Sequence, residues 1–444
     1  MDVPSSSSCS PDIGDGADEA PTHFLMELVT LDHLMMTSSS SKRSKLTCLA
    51  VSSQFLILGT STGGVSVYGR YSSSRKRLNA PSGPLHFINT KDGPVSTLCV
   101  APKEGIVAVG SDSGRVHVIE FSTSPSPVKH LLTRDTRRLK KVTSLIWSTD
   151  SKKLYSGHEN GAVMVHHLDA KYLFRSSCTV LASFDDGPIV QLDVSGQSVL
   201  VSTQGASYIC GIDDKNITQV GKKPRKGPLG ACFISPAQDQ LSSSQQNAVI
   251  LAARPNGRVW EANAAGVVYR THQLRENTTF PRPPIISSRN DYTCVGTKVD
   301  VTTTDASNSI TLGVLQHIVV EEVPYILSIS GSCLIVFDVE QSKLVLVSDL
   351  QEEICCCCIC GADLFVLLRG IAIPRKYTLC SRTMVVKRLL AKSLPIQCAH
   401  FMLQYKCCSW PPDLVNSTAD ALANSTKKVF TFVLFGSSIS NKDV

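Results

Sequence analysis

The densest chemistry in this 444-residue chain is a run of thiols, Cys355-Cys356-Cys357-Cys358 followed by Cys360, with Cys407-Cys408 further on. Thiolates hold zinc when a turn brings paired ligands into a tetrahedron. Here the cysteines are consecutive inside an apolar stretch, and no glycine-bearing knuckle separates them. A β-strand would send alternate members to opposite faces. The run therefore reads as buried strand filler, and no metal or other cofactor is expected.

Other reactive patterns fall short in similar ways. The glycines from Gly59 to Gly64 lack the Lys-Ser/Thr that completes a phosphate-binding loop. His158-Glu159 has no second histidine four residues from the first. Asp185-Asp186, Asp213-Asp214 and Glu321-Glu322 sit in turn-like settings and read as solvated charges. No Gly-x-Ser-x-Gly elbow is present. Enzymatic activity is not expected.

Basic clusters are the remaining candidates. Arg134, Arg137, Arg138, Lys140 and Lys141 form one, and Lys222, Lys223, Arg225 and Lys226 another; Lys42, Arg43, Lys45 and Arg75, Lys76, Arg77 make two more. All fall between apolar segments. Gathered on one rim, such charges would attract anionic lipid at about 1 kcal/mol each, whereas the plainer reading is that they keep the chain soluble. No aromatic residues interleave with them to stack bases, so nucleic acid is not an expected partner.

Something must position these loops. The hydrophobic fraction is 42%, the charged fraction 18% and the formal net charge +7, so material for a large core is present. Residues 1–21 are Ser-rich and acidic, lack the apolar stretch of a secretory signal, and are expected to be disordered. No uninterrupted apolar run reaches the roughly 18 residues that span a bilayer. A cytosolic chain follows as the expectation, with the 17 cysteines reduced. The sequons at Asn216, Asn277, Asn416 and Asn424 are then chance matches.

The decisive signal is self-similarity. Leu46–Ser52, Phe55–Gly59 and Gly63–Tyr68 write the same sentence as Val95–Val100, Ile106–Gly110 and Gly114–Ile119, and again as Val142–Ser148, Lys153–Gly157 and Gly161–Val165. Each is a strand, a turn, a strand ending at glycine, a tight turn ending at a second glycine, and a third strand. The period is 51 and then 47 residues, measured at Gly59, Gly110 and Gly157. That is close to a four-stranded propeller blade, a sheet that must stack on neighbours to bury both faces.

Four further units follow with erosion. They begin near Ile189, Leu229, Leu312 and Ile354, the last followed by Met384–Leu390. Ala237–Asn247 reads as a solvated insert and Asn277–Ser309 as a long inter-blade loop. The fold class is therefore all-β, a WD40-like β-propeller over residues 22–400 with seven blades, six being the alternative count. The apolar spacing Phe24, Leu25, Leu28, Leu31, Leu34 suggests a short helix packed on the propeller. Residues 401–444 form a C-terminal tail whose apolar run Val429–Phe435 either adds a ring-closing strand or stays unpaired.

The fifth unit carries a longer and more specific string. Gly230-Ala231-Cys232-Phe233 is followed by Ala252-Ala253-Arg254-Pro255-x-Gly257-Arg258-Val259-Trp260-Glu261 and by Gly266-Val267-Val268 to Thr271-His272-Gln273. With Leu31-Asp32-x-Leu34, Val142–Trp147 and Val190-Gln191-Leu192-Asp193, it resembles the N-terminal propeller of the Hermansky–Pudlak syndrome protein 5 family. The related tectonin β-propeller repeat-containing protein 2 has a similar string. The resemblance runs from about Phe24 to about Leu390 and thins after Arg289.

What it implies is a non-catalytic scaffold in membrane traffic, a subunit of a complex that builds lysosome-related organelles (biogenesis of lysosome-related organelles complex 2). The expected partners are then the other subunits of that complex, with peripheral contact to endosomal membranes. The tectonin relative implies the alternative of autophagy and export from the endoplasmic reticulum, and the basic loops imply a lipid binder. Members of both families are longer than this chain. Arg254, Pro255, Gly257 and Trp260 are the candidates for family-specific contacts, although a β-turn with an inter-blade core aromatic is the favoured reading of them.

Overall fold

The computed structural model describes residues 22–27, 31, 44–70, 83–123, 128–135, 140–168, 178–234, 248–274, 285–287, 310–404 and 410–436. Seven antiparallel sheets stand around a central axis, and we label their strands A to D from the axis outwards. Blade 1 comprises Leu46–Val51, Phe55–Thr60, Gly64–Gly69 and His86–Asn89. Blade 2 comprises Val95–Val100, Ile106–Ser111, Arg115–Glu120 and Lys129–Asp135, and blade 3 Val142–Trp147, Lys153–His158, Ala162–His167 and Cys178–Ser183. Blade 4 comprises Ile189–Ser195, Ser198–Thr203, Ser207–Gly211 and Ile217–Gln219, and blade 5 Ala231–Ile234, Val249–Arg254, Arg258–Ala262 and Val268–Gln273. Blade 6 comprises Val314–Val320, Val323–Ser330, Cys333–Asp338 and Lys343–Asp349. Seven is the blade count.

Blade 7 takes three strands from late in the chain, Ile354–Cys360, Asp363–Leu368 and Arg375–Ser381. Its strand D is the N-terminal segment His23–Glu27, antiparallel to Arg375–Ser381 through His23 opposite Ser381 and Met26 opposite Thr378. The helix expected near Phe24 is thus a strand. All five of its residues are buried, and Phe24, Leu25 and Met26 put apolar side chains on both faces, so the spacing in sequence mimics a helical stripe. Leu25 packs into the blade 6–blade 7 core, while Phe24 and Met26 point the other way. Outside it, Ile286–Ser287 adds a fifth, parallel strand from the long connection between blades 5 and 6.

Three helices follow: α1 (Arg382–Ala391), α2 (Pro395–Gln404) and α3 (Pro412–Gly436). Ser381 caps α1, its hydroxyl accepting from the Met384 amide at 3.3 Å. Met384–Leu390 is therefore helix, and residues 412–436 are helix as well, so the run Val429–Phe435 is not a closing strand. Val385, Val386, Leu389, Cys398, Phe401 and Leu414 pack against Phe24 and Met26. The expected tail of residues 1–21 and the insert Ala237–Asn247 lie outside the described residues.

The repeated glycines have two distinct causes. Gly63, Gly114 and Gly161 each adopt φ +84° in the turn between strands B and C, a conformation costly for other residues. Gly59, Gly110 and Gly157 do not. A Cβ on Gly110 would lie 2.7 Å from Val142 Cγ1, and one on Gly157 would lie 2.5 Å from Ile189 Cγ2. These glycines admit the first side chain of the next blade. The period in the sequence is the period of blade-to-blade packing.

Candidate functional site

Antiparallel pairing inside each blade puts every strand A in the same sense around the axis. The connections that lead into strands A, and the turns between strands B and C, therefore share one face, called here the upper face. The strands A enclose a cavity of about 830 Å³ along the axis. Side chains beside it stitch each blade to the next. Thr47 Oγ1 donates to the Val95 carbonyl at 2.6 Å and Ser96 Oγ to the Val142 carbonyl at 2.6 Å. Ser144 Oγ accepts from the Leu192 amide at 3.2 Å, and Asp193 Oδ2 from the Phe233 amide at 2.7 Å. Gln316 Nε2 donates to the Cys357 carbonyl at 3.2 Å.

Blade 5 is spanned differently. Its strand A has only four residues, and the Gln191 carboxamide of blade 4 passes it to reach blade 6. Gln191 Nε2 donates to the Leu315 carbonyl at 2.5 Å, and Gln191 Oε1 accepts from the Leu315 amide at 2.9 Å. Gly230 leaves the space, because a Cβ there would lie 2.0 Å from Gln191 Oε1. Two strings singled out in the sequence, Val190–Asp193 and Gly230–Phe233, thus form one junction.

The thiol run closes the ring between blades 7 and 1. Cys356, Cys358 and Cys360 face the core shared with Leu49, Leu56 and Leu58 of blade 1, while Cys357 faces blade 6. Cys356 and Cys358 both donate to the Leu49 carbonyl, at 3.5 and 3.3 Å. Arg70 lies 2.8 Å from Cys360 Sγ and 3.6 Å from Asp363. Burial raises the Cys357 thiol above its ordinary range. Among the described residues no three His, Cys, Asp or Glu side chains converge in a way that could hold a metal ion. Cys407-Cys408 lies outside the described residues. His158, flagged for its neighbour Glu159, bonds instead to Ser156 within blade 3.

The basic residues do not gather in one place. Arg137, Arg138, Lys42, Arg43 and the Arg75–Arg77 cluster lie outside the described residues, and Arg134 lies in strand D of blade 2. Lys45, Lys140 and Lys141 are exposed where the chain enters blades 1 and 3. Lys141 is paired with Asp112 at 3.0 Å. Lys222, Lys223 and Lys226 are exposed on the connection into blade 5.

Arg225, read from the sequence as a surface charge, is buried at 5% exposure. Its Nη1 donates to the Ala253 carbonyl at 2.7 Å, and its Nη2 to those of Leu229 at 2.7 Å, Ala206 at 3.2 Å and Thr203 at 3.3 Å. A planar fork of donors suits such a cage, and a lysine would not fill it. Burial, aided by the charge of Arg254, pulls its pKa down to about 10, so it remains a cation at neutral pH. Nothing in the run Lys222–Lys226 marks Arg225 as the member that turns inward.

The candidate family-specific residues lie beside this cage, joined to it through Arg254. Arg254 ends strand B of blade 5, donates from Nη2 to the Pro224 carbonyl at 2.7 Å, and lies 3.9 Å from the Trp260 ring centroid. Pro255 and Gly257 make the turn to strand C, with Gly257 at φ +64°. Trp260 packs with Ile250, Leu200 and Val220 between blades 4 and 5. The turn-plus-aromatic reading describes these positions, with the addition that Arg254 ties the turn to the basic connection.

The family profile described as HPS5 beta-propeller matches residues 25–370, the span of the seven blades almost from end to end. The chain belongs to the HPS5 beta-propeller family. A relative named BLOC-2 complex member HPS5 homolog, from Drosophila melanogaster, is 26% identical over 369 residues, covering 82% of this chain and 42% of the relative. The human BLOC-2 complex member HPS5 is 28% identical over 282 residues, covering 62% of this chain and 24% of that protein. Human tectonin beta-propeller repeat-containing protein 2 is 30% identical over 259 residues, 56% of this chain and 17% of its own length. The chain spans less than half the length of each of these relatives. No helix among the described residues is long and apolar enough to cross a membrane.

Proposed function

We propose that this HPS5-family propeller is a non-catalytic scaffold in vesicle traffic, serving the biogenesis of lysosome-related organelles within a multisubunit complex. The observation that carries the reading is the match over residues 25–370 to a family whose relatives are named as members of a complex. A rigid ring displaying many short loops suits docking. The partners would be the other subunits of a complex of the BLOC-2 type, and the site of action the cytosol, peripheral to endosomal membranes. Affinity purification of the chain from cells, read by mass spectrometry, tests this. Recovery of trafficking-complex subunits is the expected result, and their consistent absence would sink the proposal.

Lipid binding through the basic loops is a weaker reading. Arg225 is withdrawn into the cage, Lys141 is neutralised by Asp112, and Glu159, Asp185, Glu352 and Glu353 are exposed on the same face. A flat anionic bilayer would meet both signs of charge.

A further inference from the structure

We propose that the connection Gly221–Gly227 is a preorganised docking loop for an acidic protein segment, an inference that rests on reading the propeller as a scaffold. Its residues divide cleanly into anchors and presented charges. The Gly221 amide donates to the Gly266 carbonyl at 2.9 Å, which pins the start of the loop to blade 5. The Pro224 carbonyl is held by Arg254, and the Arg225 amide donates to the Gly205 carbonyl of blade 4 at 2.8 Å. The Arg225 side chain then bonds to four carbonyls from blades 4 and 5 and the loop base. Between these anchors Lys222, Lys223 and Lys226 stand exposed, and no ion pair engages them among the described residues.

This arrangement fits a narrow anionic partner. Three ammonium groups on a tethered loop lose little backbone freedom on binding, the benefit of preorganisation. Complementary charge gives selectivity and fast encounter. The buried guanidinium adds no exposed charge, but it fixes where the three lysines stand. A peptide carrying several carboxylates can lie along this one loop, whereas a membrane must also approach Asp185 and Glu159. An acidic segment of a complex partner is therefore the occupant assigned here.

The test uses the full chain and a fluorescent deca-glutamate peptide followed by anisotropy, with deca-glutamine as control and phosphatidylserine vesicles as the membrane arm. The wild-type chain is expected to bind deca-glutamate and not deca-glutamine. Reversing Lys222, Lys223 and Lys226 to Glu should weaken binding at least about tenfold, while Lys140→Glu with Lys141→Glu should change it less than about twofold. Arg225→Lys, with all three lysines intact, should also weaken it, because the loop is no longer caged. Thermal melts of the lysine variants should match wild type, since those side chains are exposed and unpaired. Absence of wild-type binding, or indifference to the triple reversal, overturns the proposal. So does tight vesicle binding lost on the same reversal, which would assign the loop to lipid. Failure of the peptide with recovery of complex subunits by the wild-type chain removes this docking loop alone; failure of both removes the scaffold as well.

Discussion

The Gln191 side chain is bonded twice to the backbone of Leu315, so blade 4 is tied directly to blade 6 across the short inner strand of blade 5. This ring depends on side chains as well as apolar packing to hold its strands A in register. Where a blade is thin, a longer side chain bridges the gap.

Replacing Gln191 by Ala leaves the Leu315 amide and carbonyl without partners in a half-buried setting. A loss of about 1–3 kcal/mol is expected, measured as a lower urea midpoint with unchanged slope. Gly230→Ala should cost a similar amount by displacing the same carboxamide. If both variants matched wild type, the bridge would be ornamental.

Arg225→Met removes the cation and strips four carbonyls of a donor. A loss of about 2–4 kcal/mol is expected, together with faster tryptic cleavage after Lys222 and Lys226. Arg225→Lys should lie between the two, because an ammonium cannot reach all four acceptors. Unchanged proteolysis in both variants would show that the loop is held by Pro224 and Gly221 alone.

Burial pulls His158 down to about 4. Its Nδ1 lies 3.4 Å from the Lys140 carbonyl, so that nitrogen carries the proton. Nε2 then accepts from Ser156 at 3.0 Å, and Ser156 accepts from His166 Nε2 at 2.8 Å. A histidine lowered on folding binds its proton more tightly in the unfolded chain. Its contribution is intact above about pH 6.5 and is lost as the pH falls toward 4, a span worth about 3 kcal/mol. Denaturant titrations should show this slope, and His158→Gln should flatten it; an unchanged slope would contradict the assignment.

The cysteines should differ in reactivity. Cys355 is exposed, whereas Cys48, Cys232 and Cys357 are buried with thiols raised by desolvation, and Cys99 is pushed up to about 12. Brief N-ethylmaleimide treatment of the folded chain, read by peptide mass spectrometry, should label Cys355 well before those four. Early labelling of Cys357 would mean that the seam to blade 6 opens readily.

The first three blades were legible because their glycines are set by close contact with the following blade, and that contact recurs unchanged. Later blades lost the signal where geometry changed, as in blade 5 with its four-residue inner strand. The N-terminal strand was misread because a segment apolar on both faces has no period-two pattern to show, and its partner Arg375–Ser381 lies far away in sequence. Arg225 was read as surface because a basic run carries no mark of which member turns inward. Trp260 and Arg254 stood out as a string, but their roles emerged only once Pro224 was placed beside them.

Closure by His23–Glu27 sets a timetable for biosynthesis. This strand leaves the ribosome before the rest of blade 7, and its partner ends about 350 residues later, so at 5–20 residues per second it waits roughly 20–70 s. During that interval a strand whose central Phe24, Leu25 and Met26 are destined for burial has no sheet to join, and it is a natural client for a chaperone.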